Sequence, residues 1–442
     1  MYGYSKVYHK WLFYFSNLIL QTARLRISEF IYFLLKGVSK LEKSNFWVKV
    51  WNYPISGCQI YFIAFLFYFL PMFLVETTFS PVNRWLRLFA YISLPLLFFK
   101  IYILDQWKKK GLVVITFFFI LGFIVWRTTH YPDLLMLAPF IIGAKGINFR
   151  DIICWYFYLT LFLVITMMFF SLVKIIPNLI YYSEFRPTRY SLGMLYPSVI
   201  AAHYLYLSLA YCYLRFSKLN VFDYLLIILG NIICMLLTNT KLDFLATLII
   251  VPVMIIAQRA FLGKKLSSKI AAFWWMAVPI STVIMIFLSY FYDSSNYILN
   301  KVNSMLSGRL ALGHLAFEKY DVHLLGRIIV EHSFAGVKGQ KLSNGGGALP
   351  STYFYIDSSY IRMLILWGFL AFIIVISCLT FIAIRSTIRR TYILSAIILV
   401  SSLSFMCEPH IIQIIYNPFL LALLSNGYFS SLDVKENKNA EC

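Results

Sequence analysis

Long apolar runs alternate with short polar connections along most of the chain after residue 55. A helix needs about 20 mainly apolar residues to cross a bilayer, and twelve runs approach that length. They lie near 58–75, 86–104, 111–126, 133–144, 152–173, 194–214, 221–238, 242–257, 271–291, 359–384, 391–407 and 411–429. The pattern predicts an all-α polytopic membrane protein with about 12 transmembrane helices.

Two longer polar regions interrupt this pattern and suggest how the chain is divided. Residues 1–55 mix aromatic and basic side chains such as Trp11 and Lys10, which predicts a cytoplasmic segment lying at the membrane interface. Residues 56–430 would form the transmembrane bundle, with one large extracytoplasmic loop at 292–358 between helices 9 and 10, and residues 431–442 a cytoplasmic tail.

Composition agrees with membrane insertion, and charge gives an orientation. Apolar residues make up 61% of the chain and charged residues only 13%, which excludes a set of water-soluble domains. With twelve spans and both termini inside, the cytoplasmic side holds 25 of the 39 basic residues and +17 of the net charge of +21. This asymmetry follows the positive-inside rule, so the basic charge does not call for nucleic acid as a partner.

Ionisable side chains are almost absent from the predicted spans. His203, in the sixth run, is the exception near the middle of a span. Transporters usually hold charged groups near the midplane, so this pattern disfavours transport. A hydrogen-bonded histidine in the bundle core is the simplest interpretation of His203, and a catalytic role is the alternative.

Candidate chemistry lies instead at the predicted outer ends of the spans. Arg189, Lys241 and Arg309 supply cations there, and Asp357 supplies a carboxylate. Three cations can hold a diphosphate and neutralise it as it leaves, while a carboxylate can deprotonate an attacking hydroxyl. Each cation alone could equally be a lipid contact. Their combination favours a site for an anionic lipid head group.

The large loop contains two further features. From Ser307 a helical periodicity puts His314, Glu318 and Asp321 on one face, which is either a reactive or a solvated face. Glycines in 336–350 predict a flexible lid or tether, without the pattern of a nucleotide-binding loop. Glu331 and His332 are adjacent, and no cluster has the spacing of a metal site, so we expect neither metal nor cofactor.

Four short stretches resemble the Wzy-type polymerases of bacterial surface polysaccharides (O-antigen, capsule or exopolysaccharide), which are related to the O-antigen ligases. The stretches are Arg-Tyr-Ser-Leu-Gly-Met-Leu-Tyr-Pro-Ser at 189–198, Thr-Asn-Thr-Lys at 238–241, Ser-Gly-Arg at 307–309 with Leu-Gly at 325–326, and Tyr-Ile-Asp-Ser-Ser-Tyr at 355–360 with Trp-Gly at 367–368. Lys241 stands where the family usually has Arg, Tyr196 and Ser198 replace a His and an Asn, and Asp357 with Ser358 stands where ligases have His-Asn.

The resemblance implies a glycosyltransferase that joins undecaprenyl-diphosphate-linked repeat units outside the plasma membrane of a bacterium. A hydroxyl of one unit would attack the anomeric carbon of the nascent glycan, and undecaprenyl diphosphate would leave. The expected catalytic residues are Asp357, Arg309, His314 and Glu318, with Glu331 and His332 as further rivals for the base. The expected substrate-binding residues are Arg189, Lys241, Arg327 and Arg362. Membrane lipids, a chain-length regulator and a flippase of the same pathway are the expected partners.

Two other functions stay open at the level of sequence. A flippase for lipid-linked oligosaccharides would need a charged central cavity reachable from both sides, which the apolar spans disfavour. An O-antigen ligase would use the same donor with another acceptor, and the missing His at 357–358 weighs modestly against it.

Overall fold

The computed structural model describes residues 56–79, 83–183, 186–344 and 353–427. The chain is mostly helical, at 72%. In chain order the described α-helices are α1 (Gly57–Val75), α2 (Asn83–Ala90), α3 (Ser93–Phe99), α4 (Lys109–Thr129), α5 (Asp133–Gly143), α6 (Phe149–Leu172), α7 (Pro197–Arg215), α8 (Val221–Thr238), α9 (Lys241–Phe261), α10 (Lys265–Ala271), α11 (Ala277–Tyr290), α12 (Tyr297–Met305), α13 (Arg309–Lys319), α14 (Gly336–Asn344), α15 (Ser359–Arg362), α16 (Phe369–Ile388) and α17 (Ile393–Ser404). The predicted interfacial segment 1–55 and the tail 431–442 lie outside the described residues.

Eight helical segments of the described chain are long and apolar enough to cross a membrane. They are Gly57–Val75, Arg84–Leu104, Lys109–Thr129, Phe149–Leu172, Val221–Thr238, Lys241–Phe261, Lys265–Tyr290 and Phe369–Ile388. The mainly helical membrane protein predicted from sequence is therefore confirmed, whereas the number of twelve spans and the large outer loop stay predictions.

Two predicted spans are short helices. The run at 133–144 forms α5, which has 11 residues and contains Pro139, and the run at 391–407 forms α17, which has 12 residues. At 1.5 Å per residue, these helices are shorter than the roughly 30 Å hydrocarbon layer. Most of their residues are buried against the rest of the protein.

The last predicted span is not an α-helix. Between α17 and residue 427 the chain forms turns and a 3₁₀-helix, Pro418–Leu423, and its apolar side chains are almost all buried. Pro418 cannot continue a preceding helix, and the Asn417 side chain accepts a hydrogen bond from the backbone N–H of Phe419. Apolar composition misled the prediction because side chains buried in protein and side chains facing lipid look alike in sequence.

The central helix of the bundle is α7. It packs against α6, α8 and α9, and α9 packs in turn against α17. Most of α7 is buried, including His203. His203 lies between the rings of Phe73 and Tyr416, with centroids 5.0 and 4.3 Å away, so it belongs to the bundle core. The hydrogen bond expected for it is corrected, because neither ring nitrogen has a partner among the described residues.

A β-hairpin connects α6 to α7 and departs from an all-α fold. Strand β1 (Ile180–Ser183) pairs antiparallel with β2 (Arg186–Tyr190), and Tyr181 lies opposite Arg189. The backbone N–H of Leu195 then donates to the Glu76 carbonyl at 2.9 Å, which ties the start of α7 to the end of α1. The hairpin thereby fixes Arg189 at one end of the bundle.

Helices α12 to α14 fill much of the polar region between α11 and α15. The predicted helix from Ser307 is present as α13, but it ends at Lys319, so the prediction that Asp321 shares its face is wrong. Residues 336–344 of the predicted flexible lid instead form α14, whose Gln340 and Asn344 side chains donate to the Ile180 carbonyl of β1. These hydrogen bonds correct the prediction for that part, and residues 345–350 lie outside the described residues.

Candidate functional site

A cavity of about 730 Å³ opens at the end of the bundle that carries the β-hairpin. Its wall comes from the end of α1, the hairpin, the starts of α7 and α9, helices α12 and α13, and the segments before α15 and after α17. The charged residues of this wall are Glu76, Arg189, Lys241, Asp243, Lys301, Arg309, Asp357 and Glu408. Four predicted site residues, Arg189, Lys241, Arg309 and Asp357, are thus brought together from distant parts of the chain.

Arg309 lies at the start of α13 and joins two carboxylates. Its Nη2 atom lies 3.4 Å from Asp357 Oδ2 and 3.6 Å from Glu408 Oε1. Backbone oxygens fix the rest of the guanidinium, because Nε donates to the Cys407 carbonyl and Nη1 to the Ser307 carbonyl. The side chain keeps 18% of its exposure, so it is accessible to an anion in the cavity.

Arg189 is held by the turn that precedes Lys241. Its Nε atom donates to the Thr238 carbonyl at 2.8 Å, and its Nη1 atom donates to Tyr196 Oη at 3.2 Å. Asn239 takes a left-handed conformation with φ of 48°, which ends α8 and lets α9 begin at Lys241. The turn at 238–241 therefore provides both the carbonyl that binds Arg189 and an exposed lysine.

The four stretches that carry the family resemblance contact one another in two pairs. In the first pair, Arg189 of the stretch 189–198 donates a hydrogen bond to Thr238 of the stretch 238–241. In the second pair, Arg309 of the stretch 307–309 forms an ion pair with Asp357 of the stretch 355–360. Gly326 and Gly368 strengthen the second pair, because a Cβ on Gly326 would lie 2.3 Å from the Leu366 carbonyl oxygen and one on Gly368 would lie 2.2 Å from the Gly326 nitrogen. Only glycine allows this approach of two backbone segments.

Burial dominates the electrostatics of the carboxylates. It raises the pKa of Asp357 above its ordinary value, and the nearby charges of Arg309 and Arg362 offset part of that rise. Burial raises the pKa of Glu408 further, with repulsion from Asp243 adding to the shift and Arg309 opposing it. Such carboxyl groups hold protons more readily than exposed ones, which suits general acid and base chemistry.

Arg362 does not line this cavity. It is buried and forms a two-pronged ion pair with Glu331, with Nη1 2.5 Å from Oε1 and Nη2 2.8 Å from Oε2. Glu331 also accepts a hydrogen bond from the Ile356 backbone N–H. The pair therefore fixes the backbone beside Asp357, and a direct contact of Arg362 with substrate stays a prediction.

Four other predicted site residues lie outside the cavity wall. His314 Nδ1 contacts the carbonyl oxygens of Ser289 and Tyr290, and its Nε2 lies 3.4 Å from Glu318 Oε1 on the exposed side of α13. Arg327 contacts His323 and lies over the ring of Tyr320. His332, a rival for the base, pairs through its backbone with Phe354. The helical spacing of His314 and Glu318 is confirmed, but their catalytic roles are untested.

Sequence reasoning missed several groups of the cavity, above all Asp243, Glu408 and His410. Asp243 follows Lys241 by two residues at the start of α9 and is buried. Glu408 and His410 fall in the three-residue gap between the last two predicted spans, where the sequence Glu-Pro-His interrupts the apolar pattern. An acidic residue and a histidine in so short a break were the available signal.

Among the residues that the structure describes, no three His, Cys, Asp or Glu side chains converge closely enough to hold a metal ion. Comparisons with protein-family models, with curated proteins and with solved structures gave no match for the chain. The fold and the cavity define a helical membrane protein with a charged site at one end of its bundle.

Proposed function

We propose that the protein is a polysaccharide polymerase that joins oligosaccharide repeat units carried on undecaprenyl diphosphate. The main observation in favour of this proposal is that one cavity is lined by Arg189, Lys241, Arg309 and Asp357. Cations beside a carboxylate of raised pKa are the groups needed to bind a diphosphate and to activate a hydroxyl. The family resemblance of the stretches that supply these residues also supports the proposal.

In the proposed reaction the two substrates meet in the cavity. The acceptor hydroxyl transfers its proton to Asp357 while its oxygen forms a bond to the anomeric carbon of the donor glycan. The bond from that carbon to the phosphate oxygen breaks, and its electron pair leaves with undecaprenyl diphosphate. Arg189, Lys241 and Arg309 would stabilise the negative charge that develops on the leaving group. A single base acting by direct displacement implies inversion at the anomeric carbon.

The border of the cavity suits a lipid-linked substrate. Leu245 of α9 and Met305 of α12 line the cavity and are 54% and 70% exposed. A polyprenyl chain could pass between such apolar side chains while its diphosphate enters the charged part. This arrangement favours a donor that stays in the membrane over one that diffuses in from water.

We also propose that the protein lies in the plasma membrane of a bacterium with both termini in the cytoplasm and the cavity facing outward. The distribution of basic residues along the sequence supports this orientation. Export of lipid-linked units by a flippase must precede the reaction, and a chain-length regulator could act on the product.

Deleting the gene and separating the surface glycans on a gel tests the proposal against its two alternatives. Loss of a polymerase leaves single repeat units in place of a ladder. Loss of a ligase leaves polymer on the lipid carrier, and loss of a flippase leaves no exported repeat unit. Either of the last two results would overturn the proposal.

A further inference from the structure

Glu408 lies between Arg309 and His410, and these two residues favour different protonation states of its carboxyl group. Its side chain is buried, and Oε1 faces Arg309 Nη2 at 3.6 Å. Its other oxygen, Oε2, faces His410 Nε2, also at 3.6 Å. A guanidinium stabilises a charged carboxylate, whereas a neutral imidazole can accept a hydrogen bond only from a protonated one.

The His410 ring can present this nitrogen as an acceptor. Its Nδ1 atom lies 2.7 Å from Gln413 Oε1, and the tautomer that donates from Nδ1 to this amide oxygen leaves Nε2 without a hydrogen. The ring also stacks on Tyr416 with centroids 3.7 Å apart. Burial lowers the pKa of His410 to about 4, so the imidazole is neutral near pH 7.

The charge balance of the cavity changes when a diphosphate enters. The wall carries four acidic and four basic residues, namely Glu76, Asp243, Asp357 and Glu408 against Arg189, Lys241, Lys301 and Arg309. A diphosphate diester adds two negative charges and competes with the carboxylates for Arg309. Unless one carboxylate takes up a proton, the added charge is repelled by the carboxylates at close range.

We propose that Glu408 takes up one proton when a lipid-linked diphosphate binds, turns from Arg309 to His410, and so frees Arg309 to bind phosphate. This inference rests on the proposed function, because it assigns the regulation of the same cavity. Glu408 is thus a positioning residue for Arg309 and makes donor binding dependent on pH.

The surroundings of Glu408 favour it over Asp357 as the proton acceptor. Asp357 is influenced by two guanidinium groups, those of Arg309 and Arg362, which favour its charged form. Several titratable and charged groups interact electrostatically with Glu408. They are Arg189, Asp243, Arg309, Asp357, Cys407, His410, Tyr206 and Tyr416. Two carboxylates of this set disfavour its charged form, and His410 offers a hydrogen-bond acceptor for its neutral form.

Titration calorimetry on the full chain in lipid nanodiscs tests the inference. The probe is a dialkyl diphosphate diester, whose two charges do not change near neutral pH, measured in two buffers of different ionisation enthalpy. We expect uptake of about one proton per probe and a Kd that weakens by up to about tenfold per pH unit as the pH rises. Glu408→Gln should bind the probe without proton uptake, and the exposed control Asp293→Asn should retain the uptake.

The possible failures are distinguishable. Probe binding by the unmodified chain without proton uptake, or uptake that persists in Glu408→Gln, would overturn the role of Glu408 and leave the polymerase proposal intact. Absence of any probe binding by the unmodified chain would overturn both. Where Glu408→Gln does not fold, binding of the probe by the unmodified chain without proton uptake still overturns the role of Glu408.

Discussion

Arg309 and Asp357 lie side by side in the cavity, with 3.4 Å between Nη2 and Oδ2, although one begins α13 and the other precedes α15. Both side chains are largely shielded from water, at 18% and 15% exposure, so each lowers the cost of burying the other. A diphosphate that takes Arg309 would leave Asp357 with less positive charge beside it. Donor binding would then strengthen Asp357 as a base at the moment when an acceptor arrives.

The pH dependence of kcat/KM should have an acidic limb set by Asp357. Burial raises the pKa of this carboxyl above its ordinary value of 3.8, and only the deprotonated form can accept a proton. The rate should therefore fall on acidification at a higher pH than for an exposed aspartate. An alkaline limb should follow from deprotonation of Glu408, whose pKa is also raised, and should be absent in Glu408→Gln. Rates of the purified protein between pH 4 and 9 measure both limbs, and a rate that stays constant on acidification would exclude Asp357 as the base.

Lys241 should contribute to donor binding through its charge alone. Lys241→Ala should raise KM for the donor by about tenfold or more, because a charge-assisted contact contributes roughly 1.5–3 kcal/mol. Lys241→Arg keeps the charge and replaces the point charge by a planar fork that can bind phosphate through two N–H groups, so it should retain activity. Lys338→Ala removes an exposed lysine of α14 that does not line the cavity, and should leave KM unchanged. Equal KM values for Lys241→Ala and Lys338→Ala would show that Lys241 does not contact the donor.

Gly326 should be needed for packing as well as for its backbone conformation. A Cβ at Gly326 would lie 2.3 Å from the Leu366 carbonyl oxygen, whereas one at Gly263 would have nothing within 4 Å. The two glycines have nearly equal φ angles of 79° and 80°, so the alanine variants differ mainly in this clash. Gly263→Ala should cost about 1–2 kcal/mol and Gly326→Ala about 3 kcal/mol or more. Thermal unfolding in detergent compares them, and similar melting temperatures would contradict the close backbone contact.

Arg362 should stabilise the protein more than it binds substrate. Arg362→Met leaves Glu331 as a buried carboxylate without its partner, which costs about 3–5 kcal/mol, and the double variant with Glu331→Leu should recover much of that loss. Unfolding temperature and donor KM should be measured on the same preparations. A normal unfolding temperature with a raised KM would instead favour the substrate contact expected from sequence.

The sequence was sufficient to predict a helical membrane protein and four residues of its cavity. Apolar runs fix the positions of helices such as α1 and α16, and polar residues at their ends are few, so Arg309 and Asp357 stood out. The sequence does not show which of Arg309 and Arg362 lines the cavity, because this depends on the side chains that each arginine contacts in the folded protein. Glu331 neutralises Arg362 within the protein, whereas Arg309 remains accessible from the cavity.

The remaining errors have a similar physical origin. The run at 411–429 predicts a helix because burial in protein and exposure to lipid demand the same composition, and its described part, 411–427, is not α-helical. Glu408 went unnoticed because its contacts with Arg309 and His410 arise only when the chain after α17 folds back against α13. No local sequence pattern shows which residue will pair with a buried charge. None shows the turn that brings the two residues together.

Reconstitution of the purified protein with a lipid-linked repeat unit tests the central claim most directly. We expect the unmodified protein to produce a ladder of polymer, and Asp357→Asn and Arg309→Ala to form it at least about 100-fold more slowly. Asp293→Asn, which changes an exposed carboxylate outside the cavity, should match the unmodified protein. Ladders from Asp357→Asn and Arg309→Ala at the unmodified rate, or no ladder from the unmodified protein, would contradict the account.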